Sequence, residues 1–97
     1  MRIMVRWTVP VDKGNETLAD GSMIRLLEDM TERLKPEAAY YWPEEGDRGG
    51  MMVFDMADTS EIAQIAEPLF QELNAEVQFV PVMNADDLQK ALATAGG

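Results

Sequence analysis

The sequence predicts an α+β fold of one domain over residues 1–97, with a four-stranded antiparallel sheet in the order 4-1-3-2, two helices on one face and a short C-terminal helix. Three observations predict it. Four segments carry strand signals, amphipathic helical stretches separate the first from the second and the third from the fourth, and a break rich in proline, acid and glycine joins the middle two. With right-handed crossovers, an order of strand, helix, strand, strand, helix, strand puts the last strand beside the first and both helices on one side.

The first strand covers residues 2–9, where Ile3, Val5, Trp7 and Val9 alternate with Arg2, Met4, Arg6 and Thr8 before Pro10 ends it. VDKGN reads as a turn, with Asn15 a plausible cap. One helix is expected from there to Pro36: Leu18, Ile24, Leu27, Met30 and Leu34 recur at helical spacing with a slip near Gly21, and Arg25, Glu28, Asp29, Glu32 and Arg33 take the outer face. Ala38–Trp42 is aromatic and strand-like, PEEGDRGG forms the connection, and Met51–Met56 returns as the third strand. DTSE reads as a capping box for a helix bearing Ile62, Ile65, Ala66, Leu69 and Leu73, with a kink or break expected near Glu67 because Pro68 lies inside it. In AEVQFVPVM, Val77 and Phe79 alternate against Gln78, Val80 and Val82, and Pro81 puts the strand's end at an edge or a bulge. Asn84 caps the last helix, whose first turn holds Asp86 and Asp87 and whose tail ends in glycine.

Composition narrows the function classes. Eighteen acids against eight bases give a net charge of −10, and the bases are scattered, so nucleic acid and anionic membranes are not expected partners. The chain has no cysteine and no histidine, which removes thiolate and Ser-His-Asp chemistry, haem with a proximal histidine and the usual zinc sites. No cofactor or metal is expected. MRIMVRWTVP is charged and too short for a signal or spanning segment, so a cytoplasmic location is expected.

With both helices on one face, the other face carries Met4, Val53, Val80, Val82 and one or two hairpin aromatics. Such an apolar patch is unusual on a soluble monomer, and pairing two sheets face to face removes it, so the expected partner is a second copy of the chain. In this pattern of elements, and in the PVMNADDL ending, the chain resembles the dimeric α/β-barrel (ferredoxin-like) superfamily over nearly its whole length. Within it, the chain is similar to small bacterial proteins of unknown function that open like MRIMVRWTVP and close like VQFVPVMNADDLQKAL. The resemblance implies a dimeric barrel. It also implies a range of activities, from cofactor-independent monooxygenases and lactone isomerases to haem-degrading enzymes, whose iron ligand has no counterpart here.

The candidate pocket lining on the uncovered face is Met4, Arg6, Thr8, Tyr40, Trp42, Val53, Asp55 and Gln78. If Met52, Phe54 and Met56 face the helices, Asp55 shares the barrel face with Arg2 and Arg6, and a buried pair of this kind is more often structural than catalytic. Alternation lets only one of Tyr40 and Tyr41 share Trp42's side, and a one-residue slip exchanges them. Packing is the commoner fate of Trp7 and the hairpin aromatics, although they could fill the barrel of a structural dimer. Met51, Met52 and Met56 read as core, while Glu44, Glu45, Asp86 and Asp87 read as solvent-exposed or capping groups. The leading expectation is a homodimer without catalysis, structural or binding a small apolar molecule. The alternative is a cofactor-independent monooxygenase or isomerase using Arg6, Asp55 and a tyrosine on a small apolar or aromatic substrate.

Overall fold

A computed structural model describes residues 1–96. The elements are β1 (Arg2–Val9), α1 (Val11–Ala19), α2 (Ser22–Leu34), β2 (Ala38–Glu44), β3 (Asp47–Asp55), α3 (Glu61–Leu73), β4 (Glu76–Pro81) and α4 (Ala85–Ala95). All strand pairs are antiparallel and the sheet order is β2-β3-β1-β4, the order the sequence predicts.

The core lies on one face of the sheet. Ile3, Val5, Trp7 and Val9 of β1 and Met52 and Phe54 of β3 pack against Met23, Leu26 and Met30 of α2 and Ile65, Leu69 and Leu73 of α3. Alternation in β1 is complete, with every second side chain buried.

Four expectations about the elements change. The single helix before Pro36 is two. VDKGN is helical rather than a turn, so Asn15 is no cap and Pro10 takes the N-cap position, where a missing N–H costs nothing. The slip near Gly21 is a true break: Gly21 adopts φ 82 and α2 starts on a new phase. That rephasing buries Met23 and Leu26, leaves Leu27 and Leu34 partly buried, and exposes Leu18 and Ile24. The hairpin connection shrinks to Glu45-Gly46, both with positive φ (50 and 89), as a two-residue turn of twist matching the strands requires. Pro68 does not interrupt α3, which runs unbroken from Glu61 to Leu73.

Other features follow the sequence closely. The Glu61 carboxylate accepts from the Ala57 and Asp58 N–H groups (2.8 and 3.0 Å) and the Asp58 carboxylate from the Ser60 N–H, so DTSE closes the turn ahead of α3. The N-cap position, however, falls to Ser60, which makes no side-chain cap, and the expected capping box on Asp58 is not formed. Pro81 falls at the end of edge strand β4, and Pro43 is tolerated because β2 is the other edge. Asn84 and Asp87 form a full capping box at the head of α4. The expectation about the glycine tail falls partly on Gly97, outside the described residues.

Helix α4 is set apart from the rest. None of its residues is buried, and Leu88 and Leu92, one turn apart, are exposed. The radius of gyration is 15.3 Å, against about 12.5 Å for a compact chain of this length, and the longest dimension is 54 Å. The helix extends from the body rather than folding back on it.

Candidate functional site

The register of the sheet arranges its uncovered face in rows. Ala38, Val53, Met4 and Val80 form one row, and Tyr40, Met51, Arg6 and Gln78 the next. Trp42, Gly49, Thr8 and Glu76 form the row nearest the hairpin turn, and Asp55 and Arg2 pair at the opposite end. The face therefore runs from a charged end through one aliphatic row to a polar end at the hairpin turn. The hairpin register sends Tyr40 to this side with Trp42, where Tyr40 is 66% exposed, and sends Tyr41 to the helix side.

All eight sequence candidates, Met4, Arg6, Thr8, Tyr40, Trp42, Val53, Asp55 and Gln78, thus share one face. They do not form one cluster. Asp55 and Arg6 stand four residues apart along the face, roughly 13 Å. Asp55 accepts instead from the Met1 ammonium at 2.7 Å, and this hydrogen bond and charge hold its carboxyl below the usual aspartate range. Arg2 pairs with Glu37 and with Asp87, tying the root of α4 to the sheet. The expected Arg–Asp ion pair is therefore replaced by two separate networks, because the chain's own terminus and an outlying helix supply nearer charges.

Arg6 belongs to a fixed group with Trp42 and Glu44. Its guanidinium lies 5.9 Å from the Trp42 ring centroid and reaches Glu44 at 3.3 Å, while the indole N–H donates to the other oxygen of Glu44 at 2.5 Å. Arg6 and Glu44 are both more than a third exposed, so the group orients Trp42 more than it stabilises the fold. Met51 joins this face, whereas Met52 and Met56 are core as expected.

Trp7 does not belong to this face at all. It is buried on the helix side, edge-on to Tyr41 with ring centroids 6.3 Å apart. Together they wall a second feature that sequence reasoning missed, a cavity of about 630 Å³ between α1, α2 and the turn end of the hairpin. Val9, Val11, Met23 and Leu27 line it with Tyr41 and Arg48. Arg48 donates to Asn15 Oδ1 at 3.0 Å and lies across α1 at Gly14, where any β-carbon would stand 2.7 Å from its Nη1.

The sequence signal for this cavity was the glycine pair at 49 and 50. In a strand, glycine marks a close approach, and a β-carbon on Gly50 would stand 2.7 Å from Trp7 Cζ2 and 2.9 Å from Tyr41 Cδ1. Read that way, β3 extends back to Asp47 and places Arg48 on the helix side. Read as a loop, the same residues hide it.

Among the described residues no group of histidine, cysteine, aspartate and glutamate is placed to hold a metal, and no helix is long and apolar enough to cross a membrane. No curated protein matches the chain. A family model described as a domain of unknown function, DUF3303, matches residues 1–96, and the chain belongs to that family.

Proposed function

We propose that the protein works as a homodimer closed through the uncovered sheet face, a dimeric α/β barrel whose interior holds a small apolar molecule without catalysing its conversion. The observation that carries this reading is the row of Ala38, Val53, Met4 and Val80, aliphatic side chains on a sheet face that no helix of the same chain covers. Between two such faces, a ligand would meet aliphatic groups at one end and Arg6, Thr8 and Gln78 at the other.

Area decides what else the dimer needs. Four strands spaced about 4.8 Å, each about 25 Å long, give a face of roughly 500 Å², or about 1,000 Å² for two. Stable interfaces bury about 1,200–2,000 Å². The shortfall is what the unpacked α4 can supply if its Leu88 and Leu92 stripe lies on the partner, so the two helices are exchanged as arms.

The catalytic alternative has less support. It needed Arg6, Asp55 and a tyrosine together, and Asp55 is at the far end of the face, held by the Met1 ammonium. Tyr40 does share a row with Arg6, with Met51 between them, but no general base or nucleophile accompanies the pair.

Sedimentation and native mass spectrometry test the reading. The expected species has twice the 10.8 kDa chain mass, retained mass identifies an occupant, and Met4→Asp shifts the species to monomer. A wild-type chain that stays monomeric at high micromolar concentration overturns it.

A further inference from the structure

We propose that the cavity between α1, α2 and the hairpin turn binds a small organic carboxylate with a flat apolar body, and that Arg48 receives the carboxylate. The site lies mainly on the helix side of the sheet, bordered at the hairpin end by Trp42, Asp47 and Gly49, and does not rest on the dimer reading.

Three observations point to this ligand chemistry. The volume, about 630 Å³, falls within the range of about 300–1,000 Å³ typical of small-molecule sites. Its walls are aromatic and aliphatic, with Trp7 and Tyr41 set edge to face and Val9, Val11, Met23 and Leu27 around them. Its cation is unclaimed. Arg2, Arg6 and Lys13 each pair with carboxylates, and Arg25, Arg33, Lys35 and Lys90 are exposed, so among the described residues Arg48 is the half-buried cation with no acidic partner.

In a chain with 18 acids and 8 bases, an unpaired half-buried arginine is notable in itself. Its only side-chain hydrogen bond among the described residues runs from Nη2 to Asn15 Oδ1 and its Nη1 lies against Gly14, which leaves the edge formed by Nε and the second Nη2 proton to donate. Asp47, the nearest acid in sequence, also borders the cavity, but no ion pair joins it to Arg48. The seat is also built: α1 has glycine at position 14, and that absence of a side chain is what lets the guanidinium lie against the helix. A planar fork fixed in this way matches a carboxylate in two-point contact, and the aromatic wall beside it suits a ring. The net charge of −10 disfavours anions in general, but exposed charges more than about 10 Å away are screened at 0.1 M salt, so the local guanidinium dominates.

The test uses the full chain with 2-naphthoate and its neutral counterpart 2-naphthalenemethanol, followed by calorimetry and by chemical shifts of the Trp7 and Tyr41 side chains. Naphthoate is expected to bind at least tenfold more tightly than the alcohol. Arg48→Gln should erase that difference while leaving alcohol binding unchanged. Gly14→Ala is the second variant: it keeps the charge but displaces the guanidinium, and since alanine is the better helix former the protein stays folded while naphthoate affinity falls at least tenfold. Equal binding of the two probes, a naphthoate preference that survives both variants, shift changes confined to Met4, Met51 and Val53, or no binding of either probe at millimolar concentration each overturns the proposal.

Discussion

Gly50→Ala is the sharpest perturbation of the wall that divides core from cavity. In a strand, alanine normally gains about 0.5–1 kcal/mol over glycine, so without a clash the substitution should stabilise the protein. Here the new carbon would stand 2.7 Å from Trp7 Cζ2, 3.1 Å from Trp7 Cε2 and 2.9 Å from Tyr41 Cδ1. Carbon atoms prefer about 3.5–4.0 Å, so something must move by most of an ångström. Tyr41 can swing outward, being 55% exposed, whereas Trp7 is 4% exposed, in the middle strand pair, and cannot. Overpacking of this kind costs about 1–3 kcal/mol, which for a domain of this size lowers Tm by roughly 5–20 °C. Thermal unfolding followed by circular dichroism measures it. Adding Tyr41→Ala should restore less than half of the loss, because the closer clash is with Trp7. A Gly50→Ala melting temperature at or above wild type would refute the reasoning outright, and full rescue by Tyr41→Ala would assign the clash to the wrong ring.

Two further outcomes concern the ends of elements and the acid limb of stability. Asn84→Ala removes a complete capping box, worth typically about 1 kcal/mol, but α4 buries none of its residues and meets the sheet at its root through the Arg2–Asp87 pair; hydrogen exchange should therefore rise across 85–95 while the monomer's melting temperature hardly moves. Asp20, Asp55 and Asp58 are held below the usual aspartate value chiefly by hydrogen bonds, from Ser22, the Met1 ammonium and Ser60 respectively. A folded pKa below the unfolded one contributes stability that is present above the unfolded value, near 3.9, and is lost as pH falls through the folded value. These three groups should thus leave urea midpoints unchanged between pH 5 and 8 and lower them only below about pH 4, and Asp58→Asn should flatten that acid limb.

The strand order was legible because two-residue alternation in β1 and the Asn84 cap are local signals that packing did not override. The helix boundary was less legible. A positive-φ glycine at 21 lets two helices of different phase follow one another, and a single periodic fit across both averages their faces, so Leu18 and Ile24 were assigned inward and Met23 and Leu26 went unread. The shared face of Met4, Arg6, Thr8, Tyr40, Trp42, Val53, Asp55 and Gln78 followed from alternation alone, but the pairing of its charges did not. Asp55 is claimed by the chain terminus 54 residues earlier and Arg2 by Asp87 of α4, contacts set by the closing of the fold. Arg48 was hidden for a different reason: three glycines among GDRGG are the composition of a loop, and only the bulk of Trp7 opposite Gly50 reveals them as strand.

Adjacent residues of β2 let the two sides of the sheet be tested separately. Trp42 faces the open side, where its indole donates to Glu44 and its ring meets the Arg6 guanidinium, and Tyr41 faces the helix side, where it closes the cavity over Gly50. Trp42→Ala removes a charge-assisted hydrogen bond and a partly exposed cation–π contact, together about 2 kcal/mol at most, and frees Arg6 on the proposed dimer face. Tyr41→Ala removes one wall of the cavity and leaves the open face unchanged. The expected pattern is unequal: the Trp42 variant weakens self-association and, because Trp42 borders the cavity at the hairpin end, lowers naphthoate binding less than the Tyr41 variant, which leaves self-association unchanged. Sedimentation and calorimetry on the same two preparations read it. If both variants moved both properties together, the sheet would be transmitting strain between its faces through the hairpin, and dimer face and cavity would have to be treated as one coupled site rather than two.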